Sequence, residues 1–180
     1  MSEQIKSLWP AEIRPHILSP MIILKAQAEA LVKQTGGILS ADVKRKETEG
    51  GKVELTFDIV VPALNGYRHR ILNVAYDMNL PYPCIVDAEF FSSGAKSVFR
   101  GFLEGRPPPD AFSNRADSDT EFIDIIAQVL QSSHILSIAQ SLIARASEAL
   151  AENEQLVQTV DNESLESPPA DSTNETTEEI

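Results

Sequence analysis

Hydrophobic positions change period along this chain, and the changes divide it into elements. From Ser19-Pro20 onward, Met21, Leu24, Ala28, Leu31 and Val32 recur at helical spacing on one face, while Lys25, Glu29 and Lys33 lie elsewhere. Ser19 is a good N-cap residue, Pro20 at the first helical position forfeits no hydrogen bond, and Gly36-Gly37 supplies a left-handed stop. The pattern predicts an amphipathic helix packed on a sheet.

After the glycines the period becomes two. Leu39, Ala41 and Val43 alternate with Ser40, Asp42 and Lys44; after a tight turn at Glu49-Gly50-Gly51, Val53, Leu55, Phe57, Ile59 and Val61 alternate with Lys52, Glu54, Thr56 and Asp58. Such alternation marks two half-buried strands of a hairpin. Pro62 to Gly66 reads as a second turn, and Tyr67 to Asp77 as a third strand with Leu72, Val74 and Tyr76 on one face and Ile71, Asn73 and Ala75 on the other. Leu80-Pro81-Tyr82-Pro83 interrupts the pattern, because proline cannot donate a ladder hydrogen bond, and Cys84 to Phe91 forms a fourth strand. The expectation is a four-stranded antiparallel β-meander.

Lys96 to Leu103 fits either a short helix or a strand, with Val98, Phe99, Phe102 and Leu103 following the helical period. Glu104 to Asp117, with Gly105 and Pro107-Pro108-Pro109, reads as an exposed connecting loop. Ser118-Asp119-Thr120-Glu121 matches a capping box ahead of the apolar stripe Phe122, Ile125, Ile126, Val129 and Leu130. The stripe resumes out of phase at Ile135, Ile138, Ala139, Leu142, Ile143 and Ala146, which predicts a kink or two helices. Beyond Leu150 the polar composition predicts disorder. The fold expected is α+β: an extended N-terminal arm at 1–18, a single domain at 19–150 holding the N-terminal helix, the meander and the C-terminal helices, and a disordered acidic tail at 151–180.

Composition changes this picture mainly through charge. A chain of 180 residues with 42% hydrophobic and 23% charged residues suits one ordinary domain. Of its net charge of -12, most belongs to the last thirty residues, which carry nine carboxylates and no Lys or Arg. The first 150 residues hold 15 basic and 18 acidic side chains, so the body is close to neutral. An acidic appendage repels phosphate, and no nucleic-acid partner is expected. The single Cys84 excludes an intramolecular disulfide, Met-Ser-Glu-Gln lacks a signal pattern, and no apolar run approaches membrane-spanning length. The chain is therefore expected to be soluble and cytoplasmic, with no membrane partner, and the sequons at Asn162 and Asn174 are read as chance.

Candidate chemistry is sparse. Cys84 could act as a nucleophile, but in an apolar stretch it reads as a small buried hydrophobe. His16, His69 and His134 lack metal-ligand spacing, and no cofactor is expected. Ser133-His134 are neighbours that do not face each other along a helix. Asp117-Ser118-Asp119-Thr120 follows no hydrophobic strand and is better read as helix capping, and Gly36-Gly37 follows a helix rather than leading into one, so it forms no phosphate cradle. Arg68-His69-Arg70 is the best basic cluster, with alternation placing His69 across the sheet from the two arginines.

The order helix, antiparallel meander, Tyr82-Pro83 after the third strand, then C-terminal helices resembles the ubiquitin-conjugating and related RWD domains over residues 19–150. The chain lacks the second proline expected soon after Tyr-Pro and the His-Pro-Asn motif, and Cys84 comes too early to match that family's catalytic cysteine. The resemblance thus implies a topology and no activity. The function expected is a noncatalytic protein-interaction module, of the adaptor, immunity or chaperone-like kind, binding another protein through its helix and sheet surface. Tyr82, Arg68, Arg70, Pro107, Pro108 and Phe112 are the candidate surface residues. The alternative is an enzyme whose pocket uses Cys84, His69 and the 104–117 loop. A polar cleft would favour the enzyme and an exposed apolar groove the binding module.

Overall fold

A computed structural model describes residues 16–48, 50–88, 93–106 and 114–163. Helix α1 (Pro20–Gln34) is followed by β1 (Ser40–Glu47), β2 (Lys52–Val61), a 3-10 turn (Pro62–Leu64), β3 (Tyr67–Asp77), β4 (Leu80–Ala88), α2 (Ser93–Leu103), β5 (Arg115–Ala116), α3 (Asp119–Leu130) and α4 (Ser133–Glu163). The expected α+β architecture is present, with the strands hydrogen-bonded in the order β1-β2-β3-β4-β5, all antiparallel.

Local signals account for most of the boundaries. Gly37 at φ +84° ends α1, its N–H donating to the Val32 carbonyl at 2.9 Å, a closure that favours a residue without Cβ. Ser19 differs from expectation: its side chain makes no cap, and its carbonyl instead accepts from the N–H groups of Ile22 and Ile23. At α3, Ser118 Oγ accepts from the Glu121 N–H at 3.2 Å, while the Glu121 carboxylate accepts from the Asp117 N–H at 2.7 Å. The capping box therefore closes one residue upstream of its usual backbone donor.

Cross-strand rows define the two faces of the sheet. Val53, Tyr76, Cys84 and Ala116 form one row, and Leu55, Val74 and Val86 another, both in the main core under α1, α3 and α4. Ala75 and Ile85 point the other way, into a smaller core with Phe99 and Phe102 of α2. Lys52 binds that helix to the sheet, with its ammonium 4.4 Å from the Phe102 ring centre and 3.2 Å from Asp77 Oδ2.

Four expectations are corrected and one open choice is settled. Strand β4 begins at Leu80 rather than Cys84, so Pro81 and Pro83 lie within it. The meander gains a fifth strand, β5, at the end of the segment read as a connecting loop; Cys84 pairs with Ala116, and the Val86 N–H donates to the Asn114 carbonyl at 2.9 Å. Ile71 does not share a face with Asn73 and Ala75. The register shifts between Phe57 and Asp58, whose partners are Leu72 and Arg70, so Ile71 is the extra residue of a bulge and joins Leu72 in the main core. Lys96–Leu103 resolves as helix. Finally, α4 runs past Leu150 to Glu163, through a stretch with no Gly or Pro to stop it. The chain bends by 56° between α3 and α4, as the phase shift of the stripe predicts.

The arm and tail are described only where they adjoin the domain. The Leu18 N–H donates to Asp119 Oδ2 at 3.1 Å and its carbonyl accepts from the Tyr82 hydroxyl at 2.8 Å. Residues 1–15 and 164–180 lie outside the described residues. Among the described residues, no single helix is long and apolar enough to cross a membrane.

Candidate functional site: an apolar cleft between three helices

The polar face of the β1-β2-β3 sheet carries an ion row built by the register. Asp42 lies opposite Asp58, and Asp58 opposite Arg70. Two neighbouring carboxylates on one face repel, and Arg68 separates them by pairing with both Asp42 and Asp58, the latter at 3.3 Å. Arg70 Nε donates to the other Asp58 oxygen at 3.1 Å. Asp58 is only 4% exposed, so its carboxylate is held by two charge-assisted partners rather than by water. Both arginines named as candidate surface residues are thus brought together, and they serve Asp58.

Tyr82 is also engaged. Besides its hydrogen bond to Leu18, its ring lies 6.3 Å from that of Phe122, joining β4 to α3 and fixing the approach to α1. Pro107, Pro108 and Phe112 lie outside the described residues.

The residues of the enzyme alternative are kept apart. Cys84 is fully buried in the main core, and burial pushes its thiol far above the ordinary range, which suppresses the reactive thiolate. It stands opposite Tyr76, seven residues along β3 from His69, or roughly 23 Å at about 3.3 Å per residue. Of the 104–117 segment, the described end approaches Cys84 as backbone of β5, with Ala116 beside it. Among the described residues no three His, Cys, Asp or Glu side chains are grouped to hold a metal.

A different surface has the geometry of a binding site. On the main-core side, α1, α3 and α4 surround a cleft of about 310 Å³ whose floor is Phe57 and Ile59 of β2. Ile23, Ala30 and Leu31 form the α1 wall, and Ile123, Ile126 and Leu130 the α3 wall. Leu130, Gln131, Ile135 and Leu136 line it at the α3–α4 bend, so the bend that the out-of-phase stripe dictates also shapes the cleft. Ile123 and Leu136 remain 43% and 49% exposed at its edge. Scattered exposed apolar residues are ordinary on a protein surface, but two of them lining one apolar cleft mark a contiguous patch.

No family model, curated protein or solved structure matches the chain.

The chemistry of the cleft therefore rests on its own lining. Gln27, Gln34 and Gln131 are its polar members, and no charged side chain lines it among the described residues. The arrangement can desolvate aliphatic groups and offer neutral amide hydrogen bonds; it holds no acid, base or nucleophile. Sequence reasoning missed this site because Ile23 and Ile123 fall beside the chosen stripes. The available signal was the width of the apolar arc: Ile22-Ile23 on α1 and Phe122-Ile123 on α3 give these helices more apolar surface than one contact with a sheet requires.

Proposed function

We propose that the protein is a noncatalytic interaction module, acting in the cytoplasm as an adaptor, immunity or chaperone-like factor, whose α1–α3–α4 cleft receives the aliphatic face of a helix from another protein. The observation that carries this reading is the uncharged apolar lining with Ile123 and Leu136 left exposed at the edge. A helix presenting apolar residues at i, i+3, i+4 and i+7 fits such a groove, and covering each exposed aliphatic side chain contributes up to roughly 1.5–3 kcal/mol. A charged ligand gains nothing there, since its desolvation would meet no opposite charge.

The test is affinity purification of the native protein from its host with three baits: wild type, Ile123→Asp/Leu136→Asp, and Arg68→Ala/Arg70→Ala, each checked for folding by circular dichroism. The reading requires a partner recovered by wild type and by the arginine variant and lost with the cleft variant. Recovery that survives the cleft substitutions and disappears with the arginine pair would place the interface on the opposite face and refute it.

A further inference from the structure

Strand β1 forms one end of the sheet. Its inner side pairs with β2 along its whole length, and among the described residues no strand pairs with its outer side, so the outward backbone groups of Ser40–Glu47 are a template for another strand. The α1 side of that edge is apolar and only partly covered. Ala41 and Val43 are half-buried against the main core, and Met21, Ala28 and Val32 recur on the side of α1 that lies about half a turn away from the cleft residues Ile23 and Ala30. Val32 is 38% exposed there. The other face of the edge is charged: Asp42, paired with Arg68, keeps 43% of its side chain exposed, and Lys44 is exposed two residues along.

Lysines on an exposed edge ordinarily discourage pairing. Here the order of charges is self-complementary. Two copies related by a two-fold axis perpendicular to the sheet keep like faces together only when β1 runs antiparallel to itself about one central residue. Centring on Asp42, Lys44, Arg45 or Lys46 sets that charge against its own copy, and centring on Ala41 pairs only Ser40 to Asp42 within the strand. Centring on Val43 sets Asp42 opposite Lys44 of the second copy and Lys44 opposite its Asp42, with Val43 against Val43, Ala41 against Arg45 and Ser40 against Lys46. No like charges are then opposed. We propose that β1 pairs in this register with β1 of a second copy of the chain, joining two five-stranded sheets into one and bringing the two α1 helices together along Met21, Ala28 and Val32. Neighbouring strands lie about 4.8 Å apart and packed helices about 8–10 Å, and the small Ala28 lets the helices approach. Asp42 comes to lie between Arg68 of its own chain and Lys44 of the other. The joined sheet carries both α1–α3–α4 clefts on one side, and the association does not depend on what fills them.

The full chain would be followed by sedimentation equilibrium as wild type, as Asp42→Lys, as Lys44→Asp and as an equimolar mixture of the two variants, each checked for folding by circular dichroism. Wild type is expected to be a dimer. Each variant alone opposes like charges at both symmetry-related positions and should weaken dimerisation about tenfold or more, whereas the mixture restores both opposite-charge pairs and should form a heterodimer. Val43→Cys gives a second reading with no change of charge. Directly opposed residues have Cα atoms about 4.5–5.5 Å apart, within disulfide reach, so oxidation should link two copies through position 43. Lys46→Cys, whose two copies would stand roughly 20 Å apart, should not be linked. The native Cys84 is buried and does not compete. The proposal is overturned if wild type stays a monomer up to about 0.1 mM, if either charge variant dimerises as wild type does, if the folded variants fail to associate when mixed, or if Val43→Cys forms no disulfide-linked dimer.

Discussion

The two faces of the sheet are made from the same strands by the same alternation, yet they come to different ends. One face is almost wholly aliphatic, and three helices cover it; where α1, α3 and α4 meet, coverage is incomplete and the cleft remains. The other face is polar toward β1 and apolar only toward β4, where α2 rests on Ala75 and Ile85. Its polar half is organised by paired charges, with Asp58 held between Arg68 and Arg70. Stability is thus concentrated on the first face, while specificity of register on the second depends on a few ions. The space between elements on each face inherits that character: aliphatic at the cleft, and lined by Arg70, Asn73, Asp87 and Lys96 beside α2.

Substitutions can break this contrast. Leu55→Asp and Phe57→Asp should unfold the domain or nearly so, because each loses about 2–3 kcal/mol of apolar burial and buries a carboxylate as well. Thr56→Asp, on the opposite face across from Lys44, should be mild; thermal melts showing equal losses for all three would erase the assigned faces. Next in size, Asp58→Ala should cost about 2 kcal/mol in chemical denaturation, since it leaves Arg68 and Arg70 without their shared carboxylate. Arg70→Ala alone should cost less, as Arg68 still holds Asp58. A smaller effect is expected at the cleft. Leu136→Ser should shift stability by only about 0.5 kcal/mol because the side chain is half exposed, while weakening partner binding at least tenfold. A large loss of stability there would identify Leu136 as core rather than surface.

The smallest effect is a pH dependence. The folded Asp87 carboxyl is raised by burial, so it holds its proton more tightly than the unfolded chain does. Its contribution to stability is fully present below the ordinary carboxylate range and is lost as pH rises through the folded value. Asp77 acts in the opposite sense: the Asn79 N–H and Lys52 hold it below the ordinary value, and its contribution is lost as pH falls. Urea titrations at about pH 4 and about pH 7 should therefore show Asp87→Asn gaining on wild type as pH rises. A gap between the two proteins that is constant with pH would remove Asp87 from the account.

Much of the fold was legible because alternation along β2 and β3 coincides with burial: Val53, Leu55, Phe57, Leu72, Val74 and Tyr76 all lie in the main core. The bulge was not legible, since Ile71 is as apolar as its neighbours and only the partner strand reveals the extra residue. Two-residue β5 carries no period at all, and it exists because β4 offers an open edge to Arg115 and Ala116. The end of the C-terminal helix was placed too early at Leu150 by weighing polarity over helix propensity. Of the candidate surface, Arg68 and Arg70 do form one cluster, but composition could not show that Asp58 and Asp42 engage them. Tyr82 was named as a surface candidate, and its hydroxyl and ring both make contacts inside the fold that no local pattern specifies. The cleft depends on the meeting of three helices, which no local pattern specifies.

The central claim is that the cleft, and not the polar sheet face, receives the partner. It can be read most directly by site-specific photocrosslinking in the host, with p-benzoylphenylalanine replacing either Gln131, which is exposed and lines the cleft, or Lys44, exposed on the opposite face at β1. The account predicts a crosslinked partner from position 131 and none but a second copy of this chain from position 44, with the peptide attached at 131 carrying apolar residues at helical spacing. Crosslinks to another protein from position 44 alone, or a peptide from position 131 dominated by charged residues, would contradict it.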